Sequence, residues 1–368
     1  MNRTARVPLS SILFMVFALL CSPACTVSQN TGSTDSDPDP VQPQPAQPVD
    51  PFEQNASMQR GINLGNALEA PSEGEWGMTI REEFIQLIKD AGFDAVRIPV
   101  RWNAHAMTSS PYTIDPDFFE RVDDVIEWVL ERDLMIVLNI HHYNALMKDP
   151  GAHRQRFFSL WRQIAEHYHD APNSLLFETL NEPHGELTAD LWNEYLREAI
   201  GVIRESNPYR TLVIGTAPWG GFGGITDLSL PDDDRNIITT VHYYNPFHFT
   251  HQGASWVGEE ADKWLGTTWT GTPEQKEQVN SDFDKVLSWA EEHNRPVHLG
   301  EFGAYSAAPM KSRELWTEYI RKSAEKRDFS WSYWEFGAGF GIYDRDQRHW
   351  RTGLLKALIP ESPELESR

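Results

Sequence analysis

Cysteine is nearly missing from this 368-residue chain: its two cysteines, Cys21 and Cys25, both fall in the first 25 residues. Everything after them is without a disulfide or a thiolate metal site. Positive charge is also scarce. Lys and Arg total 32 against 54 Asp and Glu, a net charge of −22. With no basic patch to neutralise phosphates, nucleic acid and anionic membrane surfaces make poor partners, whereas a neutral polymer is compatible. Long apolar runs are short in supply too. Ile12–Leu20 is an unbroken run, but too short to span a bilayer. No Gly-rich phosphate turn follows the first predicted strand, since Asn63-Leu64-Gly65-Asn66 is not that fingerprint. This argues against a doubly wound, dinucleotide-binding sheet.

What is present begins with an export signal. Arg3 and Arg6 precede the apolar run, and Ser22-Pro23-Ala24-Cys25 follows it. That end resembles a bacterial lipoprotein cleavage site, with Ser22 where a leucine is usual. A lone cysteine at the mature N-terminus is accounted for by a lipid anchor on Cys25. The chain is then exported and held on the outer membrane or cell surface, or else is periplasmic or secreted. Residues 26–52 are Ser, Thr, Asp, Gln and Pro with almost nothing to bury. In extended polyproline geometry they span roughly 80 Å and read as a tether. Residues 361–368 read as a polar tail, which leaves 53–360 for one folded domain.

Across that domain, eight apolar β-rich runs alternate with helical periodicity. The runs are Gly61–Leu64, Ala95–Val100, Met135–Ile140, Leu175–Leu180, Leu212–Gly215, Ile237–Val241, Val297–Leu299 and Phe329–Tyr333. One helical stripe is Phe118, Val122, Val125, Ile126 and Val129; another is Phe158, Trp161, Ile164, Ala165 and Tyr168. Eight βα units in about 300 residues predict an α/β fold, a (β/α)8 TIM barrel forming a single catalytic domain. Two connections depart from the pattern. Residues 220–236 show no convincing helix. Residues 245–272 form a long insertion carrying Phe247, Phe249, Trp256, Trp264 and Trp269, which reads as an aromatic binding wall.

A barrel presents its catalytic groups at the C-terminal ends of its strands. Two such ends carry an acid: Glu182 in Glu-Thr-Leu-Asn-Glu-Pro and Glu301 in Leu-Gly-Glu-Phe-Gly. Paired carboxylates across a cleft are what glycosidic hydrolysis requires, one ionised to attack and one protonated to release the leaving oxygen. Arg97 is a fixed cation suited to orienting a carboxylate. Asn181 is placed to hydrogen-bond a sugar hydroxyl, and Trp334 to form a sugar-stacking floor. Trp102, Trp161, Trp192 and Trp331 read as core, whereas Trp76, Trp219 and Trp256 read as cleft. Glu335 fits substrate binding and loop support equally.

Seven segments carry a resemblance. They are Arg60-Gly61-Ile62-Asn63-Leu64-Gly65-Asn66, Arg97-Ile98-Pro99, His141-His142, Asn181-Glu182-Pro183, His242-Tyr243-Tyr244, Gly300-Glu301-Phe302-Gly303 and Trp331–Phe336. In order and spacing they resemble glycoside hydrolase family 5 (cellulase family A), over about residues 60–359. The resemblance implies an acid/base at Glu182 and a nucleophile at Glu301. It implies that Arg97, His141, Asn181, His242, Tyr244 and Trp334 line the subsite of cleavage. Ala67–Pro71, His248–Gly253 and Trp334–Gly337 resemble the bacterial endoglucanase branch, some of whose members also cut mannan. There Asn66, Glu69, His142, His251 and Trp256 match further sugar-contacting positions.

The expected activity is a retaining endo-β-1,4-glucanase acting on a β-1,4-linked polysaccharide or oligosaccharide, as a monomer and with no cofactor or metal. An endo-β-1,4-mannanase or a mixed-linkage β-glucanase uses the same chemistry. A non-catalytic carbohydrate-binding surface lipoprotein would require a lost acid, nucleophile or Arg97, and all are present. A metallohydrolase on His141, His142, Glu182 and His242 is disfavoured, because adjacent residues on a strand point to opposite faces.

Overall fold

The computed structural model describes residues 47–365. The leader, Cys25 and most of the predicted tether lie outside the described residues. Several helices start on a side-chain cap followed by proline: Asp50-Pro51, Asp115-Pro116, Asp149-Pro150 and Thr272-Pro273. The cap oxygen accepts an N–H the first turn would leave unpaired, and proline there has no N–H to strand.

Eight strands follow the predicted runs closely: β1 (Arg60–Asn63), β2 (Ala95–Ile98), β3 (Met135–Asn139), β4 (Leu175–Glu178), β5 (Leu212–Gly215), β6 (Ile237–His242), β7 (Val297–Glu301) and β8 (Ser330–Tyr333). They pair in parallel in sequence order, and β1 pairs with β8 to close the barrel. The helices are α1 (Pro51–Met58), α2 (Glu82–Asp90), α3 (Pro116–Leu130), α4 (Asn144–Lys148), α5 (Pro150–His167), α6 (Ala189–Arg204), α7 (Phe247–Thr250), α8 (Pro273–His293), α9 (Met310–Glu325) and α10 (Thr352–Leu358). The chain is thus the predicted (β/α)8 barrel. Its fifth crossover has a 3-10 turn, Phe222–Asp227, in place of a helix. Outward-facing strand residues such as Val96, Ile136, Phe177 and Ile214 pack under the helices.

The inward positions set up the site. At the lower end Ala95, Val137, Leu176, Val213 and Ile238 form a separate apolar cluster with Met58 of α1. Two residues further along four of these five strands the inward side chain becomes polar, as Arg97, Asn139, Glu178 and Thr240, and on β5 the position is Gly215. Strand alternation converts a dry plug into a polar layer within one step of two residues. On β7 the register shifts, with Val241 opposite Leu299 but His242 opposite Glu301. The extra residue is Gly300, where a Cβ would stand 2.5 Å from Thr240 Oγ1 and 3.1 Å from His242 Nε2. A glycine is needed for that approach, and the irregularity brings Glu301 level with His242.

Three differences from the sequence expectation have physical causes. The described residues include α1, whose first two residues, Pro51 and Phe52, lie inside the predicted tether; its Met58 is fully buried as the barrel plug. The predicted tail is not free at 361–365, where Glu361 pairs with Arg60 and Pro363–Leu365 forms a 3-10 turn. In the aromatic insertion, Phe249 and Trp269 are 0% and 2% exposed, so they anchor the loop from beneath and only Phe247, Trp256 and the half-buried Trp264 reach outward.

Candidate active site

Arg97 occupies the centre of the polar layer and is fully buried. Its Nε and Nη2 donate to the two oxygens of Glu178 at 2.6 and 2.8 Å. Nη1 donates to Asn63 Oδ1 at 2.8 Å and to Glu301 Oε1 at 2.7 Å. Nη2 also donates to Asn181 Oδ1 at 2.7 Å. All five N–H groups are used, which is the full donor capacity of a guanidinium. Because Arg97 can only donate, Asn181 must turn its oxygen inward, and its NH2 is what it offers a ligand.

Glu301 ends β7 and is almost entirely buried. Arg97 holds one oxygen and the Tyr244 hydroxyl donates to the other at 2.9 Å. Burial works to raise the Glu301 carboxyl. The charges of His242 and Arg97 and the hydrogen bonds from Arg97 and Tyr244 outweigh it, holding the group below the ordinary carboxylate range. Glu182 stands four residues past the end of β4, with φ at +45°, a conformation uncommon for a non-glycine residue. His242 Nδ1 lies 2.8 Å from its Oε1. Burial and the charge of Glu301 push Glu182 upward, and the opposing contact with His242 does not cancel them. One acid is therefore poised ionised and the other protonated. Oxygens of Glu182 and Glu301 lie within 4.8 Å of one another. That approach belongs with the short separation of about 5–5.5 Å in which one acid attacks directly, and not with the roughly 6.5–9.5 Å of enzymes that place a water between sugar and base.

The remaining predicted residues fall around this pair. His141 is buried and stacks on Trp334, with ring centroids 5.5 Å apart and planes 7° apart. Asn139 accepts from Val100 N, so its NH2 donates to His141 Nδ1 at 3.0 Å. The neutral ring then carries its proton on Nε2, 3.9 Å from Glu301. Burial pushes His141 well below its usual range, in keeping with the neutral form. His142 meets Trp76 edge-on at 5.7 Å. Both histidines face the cleft, contrary to the alternation argument, because β3 ends at Asn139 and the chain turns freely beyond it. The metal set of His141, His142, Glu182 and His242 is not brought together. Among the described residues the group close enough to share an ion is Glu182, His242 and Glu301. There Glu301 already holds the Arg97 cation, so a metal would have to compete with it.

Tyr244 meets His251 edge-on at 4.9 Å, and Phe247 stacks on His251 at 4.0 Å. Trp256 is 61% exposed and lies 6.4 Å from His251. Asn66 is half-buried at the β1 end. Glu69 is only 1% exposed, and its oxygens accept from the Asn66 and Ala67 N–H groups. The structure puts Glu69 under the Asn66 loop, so what the cleft receives from it is a braced Asn66. Glu335 is likewise buried and accepts from the N–H groups of Gly337, Ala338 and Phe340, which is loop support. Trp219 is exposed and stacks on His184 at 3.4 Å. Trp102, Trp161, Trp192 and Trp331 are core, as expected.

Sequence reasoning missed Glu178 and Asn139. Both lie inside the apolar runs and end the observed strands, and they are register partners on adjacent strands. Counting inward positions by twos from Val137 and Leu176 would have found them.

A closed (β/α)8 barrel whose mouth sets a carboxylate held low within 4.8 Å of one held high defines a glycoside hydrolase. The family model for cellulase (glycosyl hydrolase family 5) matches residues 51–339, and the chain belongs to that family. It is 39% identical over 318 residues to Endoglucanase H of Acetivibrio thermocellus, covering 84% of this chain and 34% of that protein. The chain thus spans about a third of that relative's length. The structure of Thermotoga maritima Cel5A with mannotriose is 51% identical, with a TM-score of 0.83, covering 84% of this chain and 100% of that one. Cel5A from the same organism with cellobiose is 52% identical, at the same TM-score and coverage.

Two predictions follow from the site. His242→Asn removes a group that lowers both acids. The bell-shaped pH profile of kcat/KM should then shift to higher pH on both limbs, the acid limb reporting Glu301 and the alkaline limb Glu182. Glu178→Gln leaves the buried Arg97 with one anion fewer. Denaturant unfolding should register a loss of about 3 kcal/mol, and kcat should fall far more than KM changes.

Proposed function

We propose that this chain is a retaining endo-β-1,4-glucanase. The observation that carries the reading is the Glu182–Glu301 pair with its divided environments, set among exposed indoles. Trp76, Trp219 and Trp256 expose 42, 57 and 61% of their surfaces. Aromatic faces stack on sugar rings, and several of them suit a run of sugars passing through the site, as an internal cut requires. The name Endoglucanase H of the relative above supports the same reading.

In the first step a Glu301 oxygen attacks the anomeric carbon and the bond to the glycosidic oxygen breaks. Glu182 gives that oxygen its proton, so the leaving chain departs as an alcohol. The sugar is left as an ester on Glu301. In the second step Glu182, now ionised, takes a proton from water as the water oxygen attacks the same carbon. The ester opens, Glu301 is released, and configuration is retained over the two inversions. Arg97 and Tyr244 hold the attacking carboxylate, and Asn181 NH2 is available to a sugar hydroxyl. The mannotriose complex of Thermotoga maritima Cel5A favours a second substrate, β-1,4-mannan, cut by the same pair.

For location we propose export and attachment through a lipid on Cys25, with residues 26–52 supplying the reach. The leader pattern at residues 3–25 supports this.

Glu301→Gln should lower turnover of cello-oligosaccharides by about 10⁴-fold or more while calorimetry still registers their binding; near-normal rates in that variant would sink the assignment. In cell fractionation the full chain should sediment with membranes and Cys25→Ser should release it. An unchanged distribution would remove the anchor from the picture.

A further inference from the structure

Two cations in the cleft take no part in the chemistry above. Arg101 follows β2 and precedes the 3-10 turn Trp102–His105, and Lys148 is the last residue of α4. Both line a pocket of about 470 Å³ that also takes in Trp76, Glu182 and Trp219. Among the described residues, neither makes an ion pair, and the Arg101 Nε is buried without a hydrogen-bond partner. Buried arginines without a carboxylate partner, such as Arg156 and Arg210, spend their donors on backbone carbonyls, whereas the Arg101 Nε is left unbonded.

The acid lining the pocket is Glu182, whose carboxyl is pushed upward by burial and by the charge of Glu301, so that it holds its proton more tightly than a free carboxyl does. The neighbouring imidazoles add no anion, and His142 is pushed down to about 4 by burial and by the Arg101 charge. The pocket wall thus sets two cations against one acid inside a strongly negative protein. A cleft lined by one sign of charge focuses its field on whatever enters. A guanidinium with unused donors matches a carboxylate in shape as well as charge.

We propose that this pocket is a subsite for a carboxylate-bearing sugar: Arg101, with Lys148 lining the same pocket, receives the carboxylate of a uronic acid or carboxymethyl substituent carried on the polysaccharide beside Glu182. The inference rests on the glycosidase reading for its backbone but not on which hexose that backbone contains. It makes the enzyme tolerant of acidic decoration that its net charge of −22 would otherwise repel. The subsite selects by substituent, whereas the Glu182–Glu301 pair acts on any chain that reaches it.

The test is binding calorimetry on the catalytically inert Glu301→Gln enzyme at fixed ionic strength. Its ligands are a cello-oligosaccharide bearing a carboxymethyl group and the same oligosaccharide without it. The substituted ligand should bind more tightly, and adding Arg101→Gln should cut that advantage about tenfold. Lys148→Glu, at an exposed position, should cut it in the same direction, which covers misfolding of the arginine variant. Equal affinities for the two ligands, or an advantage unaffected by both substitutions, would overturn the proposal. Free glucuronate that binds through Arg101 while the substituent adds nothing would also overturn it, since the pocket would then take a loose anion. Turnover of the unsubstituted oligosaccharide by the wild-type enzyme reads the glucanase assignment separately.

Discussion

The site is organised by one buried guanidinium. Arg97 has no contact with solvent, and a charge in that position is tolerable only when paired and fully hydrogen-bonded. Glu178 supplies the fixed half of that pairing through two parallel bonds, which set the plane of the guanidinium. Asn63 and Asn181 occupy two more donors as neutral acceptors. What remains is a single N–H aimed at Glu301. Removing one partner of such a buried pair costs about 3–5 kcal/mol, so the cluster holds its own geometry before any substrate arrives. Glu301 inherits a fixed cation at 2.7 Å without having to neutralise it alone. That is the condition for a carboxylate that is buried, ionised and still nucleophilic.

The barrel delivers this cluster through strand alternation. Arg97, Asn139 and Glu178 each sit two residues above an apolar inward residue, and those apolar residues close on Met58. The dry lower layer makes the polar layer costly to leave unpaired, because water cannot enter from below to solvate it. Packing at one end of the barrel thereby enforces hydrogen bonding at the other. The same step of two, interrupted at Gly300, lifts Glu301 level with His242, so an irregularity in one strand sets the spacing of the two acids.

Much of this was legible in the sequence, for reasons tied to particular residues. The strands were readable because they are buried on both faces and appear as apolar runs of β-branched residues, and the acids because each follows such a run. Glu178 was hidden by its own neighbourhood: a single acid inside the run Leu175–Leu180 is overshadowed by Glu182 just beyond it, and only the register with Asn139 shows that it faces the barrel interior. Helix α1 was hidden for the opposite reason. Its polar residues show no apolar stripe and its first two, Pro51 and Phe52, pass for tether; what fixes it is tertiary, through the burial of Met58 and a hydrogen bond from Asn55 to the Asp328 carbonyl. Phe249 and Trp269 were misplaced as cleft wall because composition cannot tell an aromatic that anchors a loop from one that the loop displays. Glu69 raises the same difficulty with a charge: a carboxylate beside a cleft and a carboxylate bracing the cleft's loop have identical letters.

The division of labour between the acids follows from what each is bonded to. Two carboxylates this close cannot both ionise freely, since the first charge raises the second group. Arg97 and Tyr244 decide which one ionises, because both contact Glu301 and neither contacts Glu182. His242 lies 2.8 Å from Glu182 and 3.7 Å from Glu301, so it spans the pair and follows its charge. When Glu301 becomes an ester in the first step, its negative charge disappears. The repulsion that kept Glu182 protonated disappears with it, at the moment Glu182 has given up its proton. Glu182 is thus an acid while its neighbour is charged and a base once its neighbour is not. The switch needs no movement of the protein, only the covalent bond that the reaction itself makes and breaks.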